Sequence, residues 1–279
     1  MKVEIVPEYG GMIAQIFLEG KEILHTDYTQ MEVAPMAAGG VPILFPFSSK
    51  TKNDTYMLNG RQYAMPRHGL VKNDAFAVSE AKEDHVRLWL ENSPSWKERY
   101  YPFDFRLEIE YRLRDGSLEI VTRVKNFSDT AMPHYLGLHP FFRTTDKKRA
   151  SLQQDMQLHY DYEHQEDLPG IMLGDLSQCW DEVLHSPAQG GFCFENEADG
   201  YCVYCSMDRA FEALVVYTMA PESICIEPWC GLPDSINTGR FLKWVEPGEQ
   251  KEYQVRMHVE SVAYSCSVRG SEISDNGAK

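Results

Sequence analysis

Leu107-Glu108-Ile109-Glu110-Tyr111-Arg112-Leu113-Arg114-Asp115-Gly116-Ser117-Leu118-Glu119-Ile120-Val121-Thr122-Arg123-Val124 is the stretch that decides the fold. Leu107, Ile109, Tyr111 and Leu113 alternate with charged residues, and Leu118, Ile120 and Val124 resume the alternation beyond Asp115-Gly116. A period of two places alternate side chains on one face of a strand. Asp-Gly suits a two-residue hairpin turn, whose central positions both need positive φ. The stretch therefore reads as a hairpin with one apolar and one wet face.

Outward from it, strand-like runs recur at His85 to Leu90, Tyr201 to Met207, Leu214 to Thr218 and Tyr253 to Val259, and Asn59-Gly60 marks another tight turn. Few stretches hold a 3.6-residue period over helical length. No Pro/Gly/Ser-rich linker, low-complexity tract or internal repeat breaks the pattern. The expectation is an all-β chain, a large antiparallel β-sandwich with few short helices. It is read as one domain over residues 1–268 with a polar, flexible tail over 269–279. A concave sheet face is where such a fold would hold a small ligand.

The composition of the 279 residues, 43% hydrophobic and 25% charged, suits a soluble globular protein. A net charge of -15 argues against nucleic acid and against anionic membranes, both of which call for clustered Lys and Arg. Met1-Lys2-Val3-Glu4-Ile5-Val6-Pro7-Glu8 meets an acid and a proline before any apolar run of signal-peptide length, and runs such as Ala213 to Tyr217 are too short to span a bilayer. A cytoplasmic chain is expected. Seven cysteines, an odd number, then read as reduced thiols. Cys202-Val203-Tyr204-Cys205 has redox or half-zinc spacing, but within a strand its thiols point to opposite faces, so buried structural cysteines are the expectation.

Cys225-Ile226-Glu227-Pro228-Trp229 is the first candidate site. Pro228 cannot donate a ladder hydrogen bond, so pairing is expected to stop near Glu227 and leave its side chain at the rim of a sheet. Trp229 would offer a flat apolar face to a sugar ring. The plainer reading is a solvated glutamate at a strand end, with Trp229 plugging the core. Two further segments combine titratable groups with turn residues: Met65-Pro66-Arg67-His68-Gly69-Leu70-Val71-Lys72 and Gly137-Leu138-His139-Pro140-Phe141-Phe142.

The order His-Gly, His-Pro-Phe-Phe, Ile-Glu-Pro-Trp over roughly residues 35–260 resembles the aldose 1-epimerases (mutarotases), especially the bacterial branch of LacX-like proteins. That resemblance implies a galactose mutarotase-like supersandwich, and it implies roles. Glu227 matches the family's general base and His139 its general acid. His68 matches a second histidine that binds the sugar, and Asp181 resembles an aspartate that hydrogen-bonds sugar hydroxyls, with Glu182 as its competitor. LacX-like relatives often carry arginines where this chain has Lys50 and Lys72, an exchange that keeps the charge and loses the planar fork.

The chemistry can also be stated from the residues. Anomer exchange takes a proton from the C1 hydroxyl and gives one to the ring oxygen, opening the ring to an aldehyde that recloses on either face. One base and one acid suffice, and Glu plus His is a suitable pair. No cofactor and no metal is expected. Between Phe47 and Asn73, Lys50, Lys52, Arg61, Arg67 and Lys72 face only Asp54. An acidic or phosphorylated hexose held by Lys50, Arg67 or Lys72 is thus a second reading, and a non-catalytic sugar-binding sandwich a third. The expected partner is a small sugar, a hexose or hexose phosphate, bound by a monomer or homodimer.

Overall fold

The hairpin forms as its pattern requires. In the computed structural model, which describes residues 1–170, 173–186 and 190–262, Phe105–Arg114 pairs antiparallel with Ser117–Asn126. The expected tail over 269–279 lies outside the described residues. Asp115 and Gly116 have φ of 50° and 73°, as a tight turn with two positive-φ residues demands. The register sets Leu107 against Val124, Tyr111 against Ile120 and Leu113 against Leu118, so the apolar positions share a face. All but the partly buried Leu113 are buried in the main core.

This hairpin lies in an eight-stranded sheet. Its order is Ala150–Gln154, Gly191–Asn196, Tyr201–Met207, Gln250–Ser261, Ser117–Asn126, Phe105–Arg114, His85–Glu91, Ala77–Ala81. A second sheet runs Glu166–Pro169, Leu158–Asp161, Asp181–His185, Ala213–Tyr217, Ser223–Trp229, Gly137–Leu138, Ile43–Leu44, with Phe141–Arg143 also pairing the Ser223–Trp229 strand. One apolar cluster takes residues from both, among them Leu107, Ile120, Val203 and Val255 from the first sheet and Leu214, Val216, Ile224 and Ile226 from the second. The sandwich is held by that shared core, in which each fully buried Leu or Ile contributes about 1.5–3 kcal/mol. The α-helices among the described residues are short: Pro35–Ala38, Pro94–Arg99 and Ser235–Thr238. None is long and apolar enough to cross a membrane.

The wet face of the hairpin is a charge network. Glu110, fully buried, receives Arg87 at 3.0 Å, Arg112 at 2.6 Å and Arg123 at 2.8 Å, and His85 lies 2.6 Å away. Burial alone would raise its pKa, but hydrogen bonds from Arg123, Arg112 and Arg87 bring it down to about 2. The opposite outer face, on the second sheet, is where the candidate residues gather.

Candidate active site

The strand Ser223–Trp229 is buried along its whole length. Alternation sends Ile224 and Ile226 into the core between the sheets and turns Cys225, Glu227 and Trp229 to the outer face. Pairing with Ala213–Tyr217 sets Tyr217 beside Cys225 and Val215 beside Glu227; the next strand sets Asp181 beside Tyr217 and Val183 beside Val215. Asp181 therefore shares the face of Glu227, and both line one groove. Glu182 alternates to the other face, with its Oε2 2.6 Å from Nε2 of His159, so of the two acids only Asp181 faces the groove.

Glu227 is not at a rim. Pairing with Ala213–Tyr217 continues through Pro228, opposite Leu214, to Trp229, and Glu227 is only 2% exposed. On the other side of the strand the ladder is interrupted. Phe141 pairs Cys225 and Gly137 pairs Trp229 in one common register, which sets His139 directly across from Glu227. Pro140 and Pro228 bracket this pair and lack N–H donors, so they are tolerated where the ladder bonds are already missing. The two prolines explain the motif pairing His-Pro and Glu-Pro as one local device.

His139 Nε2 stands 3.1 Å from Oε1 of Glu227, and its ring stacks on Phe141 at 4.5 Å and 17°. Its backbone N–H donates to the Pro42 carbonyl at 3.1 Å. Burial pushes the imidazole down to about 3. Burial, and then the Asp181 charge, hold the Glu227 carboxyl well above the usual range, opposed by the nearby Trp229 indole N–H, whose geometry falls short of a full hydrogen bond, and by the Arg67 charge. Both shifts disfavour the charged forms, so burial favours a neutral carboxyl facing a neutral imidazole over an ion pair. Glu227 Oε2, His139 Nδ1 and Trp229 Nε1 are buried without a hydrogen-bond partner among the described residues. Such a cluster of unsatisfied polar atoms is what a polar ligand would complete.

His68 reaches the pair from a tight turn, closed by the Gly69 N–H donating to Pro66 at 3.0 Å, with His68 itself at φ 64°. Gly69 is required there, since a Cβ would lie 2.1 Å from the Phe45 carbonyl oxygen. The imidazole meets His139 edge-on at 5.5 Å and Trp229 at 6.1 Å. Ser49 N–H donates to its Nδ1 at 3.2 Å, while Arg67 Nε lies 3.2 Å from its Nε2. A neutral imidazole accepts at one nitrogen only, so these two contacts compete. Burial, then His139 and Arg67, push the ring down to about 2 and keep it neutral.

The remaining expected residues line the same groove, in different states. Lys50 is exposed, with its ammonium 4.7 Å above the Tyr162 ring. Arg67 is exposed at the mouth. Lys72 donates to the carbonyls of Arg67 at 2.8 Å and Gly69 at 2.6 Å, so its ammonium latches the His68 turn instead of projecting into the groove. Burial lowers it to about 8. Trp229 is 3% exposed and packed with Leu44 and Leu232, leaving no broad face for a sugar to stack on. Its indole N–H is the part left unpartnered.

The groove has a volume of about 820 Å³, in the range of small-molecule sites. Tyr162, Tyr217, Phe141 and Met219 also line it and were not singled out from the sequence. Phe141 was legible in principle, since it lies two residues from His139 in an extended segment. Cys225, two residues before Glu227, offers Sγ to a set in which ligand atoms of His139, Cys225 and Glu227 lie within 4.8 Å of one another, close enough to share a metal ion. Asp161, His164 and Glu166 form a second such set.

A family model described as aldose 1-epimerase matches residues 2–258. The chain is 29% identical over 110 residues to the chromosomal LacX protein of Lactococcus lactis subsp. lactis, a match covering 37% of this chain and 36% of LacX. Among solved structures it resembles the Slr1438 protein of Synechocystis sp. PCC 6803, with TM-score 0.86 and 25% identity over 93% of this chain and 91% of that one. A galactose mutarotase-like protein of Clostridium acetobutylicum shares the fold at TM-score 0.81 and 18% identity, over 93% of this chain and 92% of that one.

Proposed function

The chain belongs to the aldose 1-epimerase family, and on that premise we propose that it interconverts the α and β anomers of a free hexose such as glucose or galactose, with Glu227 as general base and His139 as general acid. The observation that carries this reading is the cross-strand pair itself: a carboxyl group and an imidazole 3.1 Å apart in the lining of one groove.

A bound pyranose would separate the pair, its C1 hydroxyl on Glu227 and its ring oxygen on His139. In the reactive form the sugar's contacts have moved the proton from the Glu227 carboxyl to His139; Glu227 then takes the hydroxyl proton, and His139 protonates the ring oxygen as the C1–O5 bond breaks. The aldehyde rotates, recloses on the other face and returns both protons. Each positioned group is worth about 100- to 10,000-fold in rate. Ser49 N–H holds Nδ1 of His68 as an acceptor, so its Nε2–H is free to donate to the sugar once Arg67 yields that contact. Asp181 accepts from sugar hydroxyls across the groove, and the Trp229 N–H supplies a further donor.

A phosphorylated or acidic hexose is the second reading, favoured by Lys50 and Arg67 at the groove mouth. It is weakened by Lys72, whose ammonium is held by two carbonyls. Polarimetry on freshly dissolved α-glucose, α-galactose and glucose 6-phosphate tests these readings together. Catalysed decay of optical rotation with the neutral sugars supports the first, and a marked preference for the phosphate supports the second. Sugar binding by calorimetry with no catalysed decay would leave only a binding module.

A further inference from the structure

The outer face of the first sheet carries its own depression, about 840 Å³, lined by Cys193, Tyr204, His258 and Arg256 among others. Cys193 belongs to Gly191–Asn196 and Cys202 to Tyr201–Met207; Cys193 stands opposite Tyr204, and Cys202 opposite Glu195. The two thiols are therefore diagonal neighbours on one face, and their sulfurs lie 3.3 Å apart. Cys205 points the other way, into the core, so the Cys-x-x-Cys spacing does not itself make a pair. The partner of Cys202 comes from the neighbouring strand.

We propose that Cys193 and Cys202 form a reversible dithiol–disulfide site, oxidised by low-molecular-weight disulfides such as oxidised glutathione. Cys193 is partly exposed and Cys202 is 5% exposed, which assigns the order of events. The Cys193 thiolate attacks one sulfur of the small disulfide; that S–S bond breaks, a mixed disulfide forms, and one small thiol leaves with a proton from water. Cys202 then gives its proton to water and attacks Cys193 Sγ, forming the internal bond and releasing the second small thiol. Two protein thiols are oxidised and one small disulfide is reduced to two thiols.

Local groups bear on the second step. Burial and the neighbouring Cys193 raise the Cys202 thiol to about 12, while the Tyr204 hydroxyl favours its thiolate. The second step is thus the slower one. Diagonal neighbours typically stand about 7–8 Å apart, beyond the roughly 4.4–6.8 Å Cα separation of ordinary disulfides, so closure requires the strands to shift and the closed form is expected to be easily reduced.

The test uses the full chain treated with oxidised glutathione, alkylated and digested with a Glu-specific protease, which cuts after Glu195 and Glu197 between the two cysteines. The expected product is peptide 183–195 joined to peptide 198–212, released by dithiothreitol. The Cys205→Ala variant should keep that link. The Cys202→Ser variant should lose it and accumulate the glutathione adduct on Cys193, with circular dichroism confirming that it is folded. An unmodified wild-type chain, a lasting adduct on wild-type Cys193, or a link that survives in Cys202→Ser would each overturn the proposal. No step of this test reads sugar turnover, so its outcome is independent of the proposed epimerase activity.

Discussion

Glu227 and His139 come together because two strands share a register across a gap occupied by their own prolines. Glu227 is legible as a candidate from Ile-Glu-Pro-Trp, but its depth is not, since the residue facing it lies far back in the chain. A proline after an acid reads locally as the end of pairing. The fold overrides that reading by keeping the ladder to Ala213–Tyr217 intact through Pro228, opposite Leu214, while the interrupted ladder lies on the strand's other side. The opposed shifts of the two buried groups make a specific pH prediction. His139, pushed down to about 3, takes a second proton only in strong acid, and Glu227, held up by burial and Asp181, loses the last proton only above the carboxylate range. His68 and Cys225 also adjoin the pair, and neither adds a titration near neutrality, His68 being held down at about 2 and Cys225 well above the usual thiol range. The rate should therefore stay level through mild acid and fall on the alkaline side as the pair loses its only acid. A loss of kcat/KM centred near 6.5 on acidification would indicate an ordinary free histidine instead.

At the scale of elements, the Phe105–Asn126 hairpin was fully legible because everything that makes it is local: period-two alternation and an Asp-Gly turn. Its outer face was not. That Glu110 would be buried under Arg87, Arg112 and Arg123 depends on strands meeting side by side. Its folded pKa of about 2 lies below the ordinary 4.5, so its stabilisation is fully present above about 4.5 and is lost as pH falls through about 2. The stability gap between wild type and Glu110→Gln in urea titrations should be widest near neutrality and close across that window. A gap that does not change with pH would mean the carboxylate charge is not what stabilises the network. The short Gly137–Leu138 strand gives a second test. A Cβ on Gly137 would stand 2.5 Å from Trp229 Cδ1 and 3.0 Å from Ser48 Cβ, so Gly137→Ala should cost about 1–3 kcal/mol by thermal melting. An unchanged melting temperature would show that the indole moves freely and does not pack as described.

For the whole molecule, the sequence supported a sandwich but not the assignment of strands to sheets, because the two sheets interleave along the chain. The shared core implies that both sheets unfold together, and we expect residues 1–268 to behave as one domain. Far-ultraviolet circular dichroism and tryptophan fluorescence should then trace coincident urea transitions, and separate midpoints would argue for two units. The same assembly puts Glu227 and His139 on one outer face and the Cys193–Cys202 pair on the other, so the two proposals concern opposite sides of the sandwich. The central claim is that a cross-strand glutamate drives anomer exchange. It is tested most directly by NMR exchange between the anomers of glucose, comparing wild type with Glu227→Gln, which keeps the side chain's size and removes its basicity. The account predicts catalysed exchange in the wild type and a loss of about 100- to 10,000-fold in the variant; exchange by Glu227→Gln as fast as wild type would contradict it.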